Sequence, residues 1–142
     1  MQSVRKIVLR TGIVGGLLFV IHASFPYVYS WPMIWPALAG ATAFWLATRE
    51  PHPHRLRTGL VAAFATGVIT GAIAFVGTSI VVYVALHTAR SVRQTGVPPG
   101  LITSAGIIAL AVLGMIDVVV AFIAGALMLP VRYFQIRHAH TQ

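Results

Sequence analysis

Apolar residues run almost without interruption through four stretches of this chain, 7–25, 31–48, 59–86 and 101–129, and polar residues gather between them. None of the four alternates apolar with polar in the two-residue rhythm of a half-buried strand, so each is predicted to be a helix. A helix needs about 20 apolar residues to cross a hydrocarbon core of about 30 Å, and only helices and closed barrels satisfy their own backbone in that waterless layer. The expected fold is therefore an all-α integral membrane protein. Its four transmembrane helices would form an antiparallel up-down bundle, with residues 1–142 as one membrane domain. The remaining connections are too short for a separate soluble domain.

The third and fourth stretches exceed what a bilayer requires. At about 1.5 Å per residue they reach roughly 42 Å, so they are expected to tilt, kink or protrude. Helix three is expected to run on through Arg90, Arg93 and Gln94 to the turn at Val97-Pro98-Pro99-Gly100, and Pro130 to mark the inner end of helix four.

Composition narrows the class. Hydrophobic residues make up 58% and charged residues 8%, against about 45–50% and 25% in soluble domains. The chain has no cysteine, which excludes disulfides, iron–sulfur clusters and thiolate zinc sites. A formal charge of +8 would suggest nucleic acid in a soluble protein. Here the cations sit at the ends of apolar runs, so the expected partner is the lipid bilayer and not nucleic acid. With the amino terminus inside, Arg5, Lys6, Arg10, Arg49, Arg55, Arg57, Arg132 and Arg137 are cytoplasmic and only Arg90 and Arg93 are outside. That is a positive-inside bias. It predicts a multi-pass protein of a bacterial-type plasma (inner) membrane with both termini cytoplasmic. Phe25, Tyr27, Tyr29, Trp31 and Trp35 would form an aromatic belt at the outer interface, where Pro32 and Pro36 open the second helix.

A competing reading makes the first helix a cleavable signal peptide, with a basic start, an apolar core and the small residues Ala23 and Ser24. It would strand the short hairpin to Trp31, so a retained helix is the expectation.

Helices associate in lipid chiefly by close packing of small residues, because lipid tails are as apolar as leucine. Gly12 and Gly16 on helix one, Ala37 and Ala41 on helix two, Ala63, Gly67 and Gly71 on helix three, and Gly106, Gly114, Ala121 and Gly125 on helix four supply such faces. They serve either packing within the chain or association into a homodimer or larger membrane complex. Residues 11–16 also echo residues 66–71 (Thr-Gly-Ile-Val-Gly-Gly and Thr-Gly-Val-Ile-Thr-Gly). Helices two and four share no matching register, so chance repetition in a Gly- and Val-rich chain accounts for the echo.

Asp117 is the candidate for chemistry. It is one of two acids and falls near the middle of helix four, where insertion scales put an aspartate at about +2.5 to +3.5 kcal/mol and where such residues face the interior. Matching depths along the helices brings Thr42 and Thr70 to its level. Asp117, Thr70 and Thr42 thus form a candidate intramembrane proton or cation site, against the plainer reading of a neutral carboxyl bonding helices together. Arg10 lies about one turn inside helix one, and its stem can snorkel to the inner interface as an anchor.

Other chemistry is poorly supported. His52 and His54 in the inner loop and His138 and His140 in the tail have ligand chemistry for zinc. Nothing in the sequence holds the tail near the loop, so no metal is expected. His22 and His87 differ too much in height to be axial ligands of one haem iron, and no cofactor is expected. With no HExxH, no acidic pair for Mg²⁺ and no depth-matched Ser and His, the chain is not expected to be an enzyme. Two functions remain. The first is a non-catalytic accessory, assembly or self-associating subunit packed through small-residue helix faces. The alternative is a minimal dimeric proton- or cation-coupled transporter or channel using Asp117.

Overall fold

The computed structural model describes residues 3–25, 32–49, 54–88 and 99–139. All regular structure there is helical: α1 (Val4–Ala23), α2 (Ile34–Ala47), α3 (Arg55–Thr88) and α4 (Pro99–Ala139). Two of them, α3 and α4, are long and apolar enough to cross a membrane, with mean hydropathy of 2.1 over Arg55–Ala85 and 2.8 over Gly106–Arg137. The first helix has 20 residues but carries Arg5, Lys6 and Arg10 in its first two turns. The second has 14 residues, about 21 Å of rise, and is shorter than its apolar stretch.

The helix ends differ from the apolar boundaries for local reasons. The first helix starts at Val4 because Ser3, in an extended conformation (φ −61°, ψ 141°), offers its carbonyl to the amides of Lys6 and Ile7. Backbone hydrogen bonding there extends past the apolar run into the cations. Pro36 occupies the first turn of α2, where an amide has no intrahelical acceptor to lose. Pro130 does not end α4, which runs on to Ala139. Beyond the proline, Arg132 fastens the last turns to α2 through the Thr48 carbonyl at 2.9 Å, which offsets the one hydrogen bond that proline removes. Tyr27, Tyr29 and Trp31 of the expected belt, and the expected path through Arg90, Arg93 and Gln94, lie outside the described residues.

Contacts between helices fix their directions. Gly12 meets Ile69, Gly16 meets Ile73 and Val20 meets Gly77, so α1 and α3 run parallel. Gly40 meets Ala121 and Phe44 meets Gly125, so α2 and α4 do too. The contacts of Gly15 with Ala39, Thr48 with Gly59 and Gly71 with Gly114 make consecutive helices antiparallel. The second and third helices touch each other, and α1 and α4 lie on opposite sides of that pair.

The interior holds Ile7, Val8, Phe19 and Phe44, yet more large apolar side chains lie outside than inside. Thr48, Thr66, Thr70, Thr78 and Asp117 are buried beside Ala43, Ala62, Ala63, Ala74 and Ala121. Large apolar side chains point outward, among them Phe64, Ile108, Met115 and Leu127, the last two about 70% and 69% exposed. Apolar surface this continuous normally marks contact with lipid or another protein.

Candidate functional site

Asp117 lies on the α4 stripe formed by Gly114, Asp117, Ala121 and Gly125, whose spacing of three or four residues keeps one face of a helix aligned. Backbones meet directly along this stripe. A Cβ on Gly71 would lie 2.5 Å from the Gly114 carbonyl oxygen, and one on Gly67 would lie 3.0 Å from the Val118 Cα and carbonyl oxygen. Gly40 of α2 abuts the Ala121 carbonyl. Asp117 is enclosed between these approaches at 0% exposure, and neither of its carboxyl oxygens has a hydrogen-bond partner among the described residues.

Of the two threonines expected beside it, one is engaged elsewhere and the other faces away. The Thr70 hydroxyl donates to the Gly12 carbonyl of α1 at 3.2 Å. Thr42 is exposed and lines a groove between α1 and α2. The correction at Thr42 is azimuthal: it stands two residues, about 200° of helix rotation, from Gly40, the residue that faces α4. Other interior hydroxyls are likewise engaged away from Asp117. Thr11 and Thr66 share a bond at 3.2 Å, and Thr11 donates to the Ile7 carbonyl at 2.8 Å.

Six of the glycines expected to pack meet other helices of the same chain, whereas a Cβ on Gly106 would meet nothing within 4 Å. Gly12 and Gly16 receive Ile69 and Ile73, Gly67 and Gly71 receive α4, Gly114 meets Gly71, and Gly125 meets Ala63. No family model, curated protein or solved structure matches this chain. Function must therefore be argued from its own residues.

Two polar contacts at opposite ends of the helices went unnoticed in the sequence. The Trp35 indole donates to His22 Nδ1 at 3.0 Å, joining α2 to α1. At the other end Arg132 donates to the Thr48 carbonyl at 2.9 Å and to Gln135 Oε1 at 2.9 Å, with its guanidinium 5.0 Å from the centre of the Trp45 ring. Thr48 is the C-cap of α2, so the cation sits where the last carbonyls of a helix concentrate negative potential. Depth matching would have found this pair, since Thr48 and Arg132 close adjacent apolar runs at the same end.

A cavity of about 270 Å³ opens between α1 and α2, lined by Arg10, Val14, Leu18, Trp35, Leu38 and Thr42 among others. Among the described residues no three His, Cys, Asp or Glu side chains come together as a metal site. His54 is exposed just before α3. His52, His140 and the side chain of His138 lie outside the described residues.

Proposed function

We propose that the chain is a four-span integral membrane protein of a bacterial-type plasma membrane, with both termini cytoplasmic, acting as a non-catalytic accessory or assembly subunit. The observation that carries this reading is the apolar exterior: about half-exposed or more Val, Ile, Leu, Phe and Met side chains cover the outside of every helix, around an interior of small residues, hydroxyls, Asp117 and a few large apolar side chains such as Phe19 and Phe44. Lipid or an apolar partner must cover such an exterior. Orientation is supported by the gathering of Arg5, Lys6, Arg10, Arg49, Arg55, Arg57, Arg132 and Arg137 at one end of the four-helix bundle. Because the glycine faces are occupied within the chain, any self-association uses the outer apolar faces of the helices.

The absence of native cysteine makes the topology directly testable. Ser3→Cys and Gln142→Cys should both be unreactive to an impermeant maleimide added outside spheroplasts and both react after permeabilisation. Labelling of either from outside would overturn the orientation.

A second reading, Asp117 as a proton or cation coupling site, is favoured by the two unpartnered carboxyl oxygens. Wild type and Asp117→Asn in liposomes, followed for proton and monovalent-cation flux under an imposed gradient, separate the two. The accessory reading expects neither to conduct. Flux in the wild type that disappears in a folded Asp117→Asn would replace it with the coupling reading.

A further inference from the structure

We propose that the groove between α1 and α2 binds one acyl chain of an anionic phospholipid, with the lipid phosphate held at Arg10. This inference rests on the four-span placement. The groove crosses at Gly15 against Ala39, with Arg10 and Thr42 to one side and Trp35 to the other. Five residues separate Arg10 from the crossing and four separate Trp35, a length of about 13 Å at about 1.5 Å per residue. Between those ends the walls are apolar, and Val14 and Leu38 are about half exposed, so the groove opens sideways. Its open side and apolar walls suit part of a single chain entering from the side.

Charge identifies the head group. Arg10 is exposed and has no hydrogen-bond or ion-pair partner among the described residues, and the exposed Thr42 hydroxyl is likewise unengaged. Arg5 and Lys6, also exposed, lie within the preceding turn and a half of α1. The one acid among the described residues, Asp117, is sealed on α4, on the far side of the α2–α3 pair. An unpaired guanidinium beside a hydroxyl suits a phosphate, whose oxygens accept its paired N–H groups. The cytoplasmic leaflet supplies anionic lipid at the depth to which Arg10 would reach.

Trp35 provides the readout. In a Trp31→Phe/Trp45→Phe background it is the only tryptophan. Its fluorescence would be followed in phosphatidylcholine vesicles containing small fractions of mid-chain-brominated phosphatidylglycerol or brominated phosphatidylcholine. The expected result is an apparent affinity about fivefold higher for the phosphatidylglycerol, the factor one cation contributes near an anionic surface. Arg10→Gln should abolish the preference, Thr42→Val should reduce it, and excess soluble glycerol phosphate should leave it unchanged.

Equal quenching by the two lipids, or a preference that survives Arg10→Gln, would overturn the lipid site and leave the four-span placement intact. Displacement by glycerol phosphate would overturn it in favour of a plain anion site. No quenching by either lipid would overturn the membrane placement together with the site. Native mass spectrometry of the unsubstituted protein supplies a second test without tryptophan replacement: one phosphatidylglycerol retained and lost in Arg10→Gln supports the site, and no retention opposes it.

Discussion

Replacing Gly40 by alanine should separate α2 from α4. A Cβ at this position would meet the carbonyl oxygen of Ala121 and lie 2.6 and 2.7 Å from its carbonyl carbon and Cα. Optimal carbon contacts fall at about 3.5–4.0 Å, so the helices would have to part by roughly 1 Å. The obstacle is backbone, so no rotamer change can relieve it. Overpacking of this kind costs about 1–3 kcal/mol. Alanine offsets part of that through its better helix propensity, worth up to about 1 kcal/mol over glycine. The net expectation is a loss of about 0–2 kcal/mol against wild type and about 1–3 kcal/mol against an alanine placed where there is no clash. Gly106→Ala is the matched control, because a Cβ there meets nothing within 4 Å and only the propensity gain remains. Unfolding in mixed micelles titrated with sodium dodecyl sulfate, followed by circular dichroism, measures both variants. A Gly40→Ala protein stabilised as much as Gly106→Ala would refute a direct α2–α4 backbone contact.

Further expectations concern the polar contacts at the two ends and the buried acid. Arg132→Gln should cost about 1.5–3 kcal/mol in the same titration, the range for a hydrogen bond from a charged donor, and Arg132→Lys less; no loss in either would mean that the Thr48 carbonyl needs no cap. Trp35→Phe should cost about 0.5–1.5 kcal/mol, and an unchanged transition would show that the bond to His22 contributes nothing net. Asp117 should resist a hydrophobic carbodiimide in the native protein and react after denaturation, as read by mass spectrometry. Rapid native modification would contradict its enclosure.

The four helices were legible because uninterrupted apolar length is itself the signal, and all four apolar runs contain helix in the structure. Their ends were less legible. Apolarity stops where cations begin, whereas hydrogen bonding carries α1 back to Val4 and α4 past Pro130 to Ala139. At the candidate site the burial of Asp117 agrees with expectation and its partners do not. Counting residues from helix midpoints gives height and no rotation, and rotation decides that Thr42 faces the α1–α2 groove and that Thr70 bonds α1. The echo between residues 11–16 and 66–71 also gains a physical account. Parallel α1 and α3 bring Thr11 and Thr66 to one height, with their hydroxyls 3.2 Å apart. Two neighbouring helices at the same depth face the same demand for small residues and a hydroxyl, so the likeness needs no duplicated hairpin.

The same geometry bears on the choice between glue and pathway. Gly114 and Ala121, on either side of Asp117, are the points where α4 touches the backbones of α3 and α2. They are separated by about 10 Å along the helix, so the acid occupies a short segment closed at each end by backbone contact. A polar route to either surface would need hydroxyls aligned above or below that segment. The interior hydroxyls resolved along α3 are instead spent on carbonyls or on each other, with Thr70 on Gly12, Thr66 on Thr11 and Thr78 on Ala74. Conduction through Asp117 would therefore require the glycine contacts to open and these bonds to exchange, a rearrangement of the whole interior. Close packing of small residues is what favours helix association in lipid, and it is also what closes the acid off. On the membrane placement proposed above, these same contacts favour the packing role proposed for Asp117 over a station on a path.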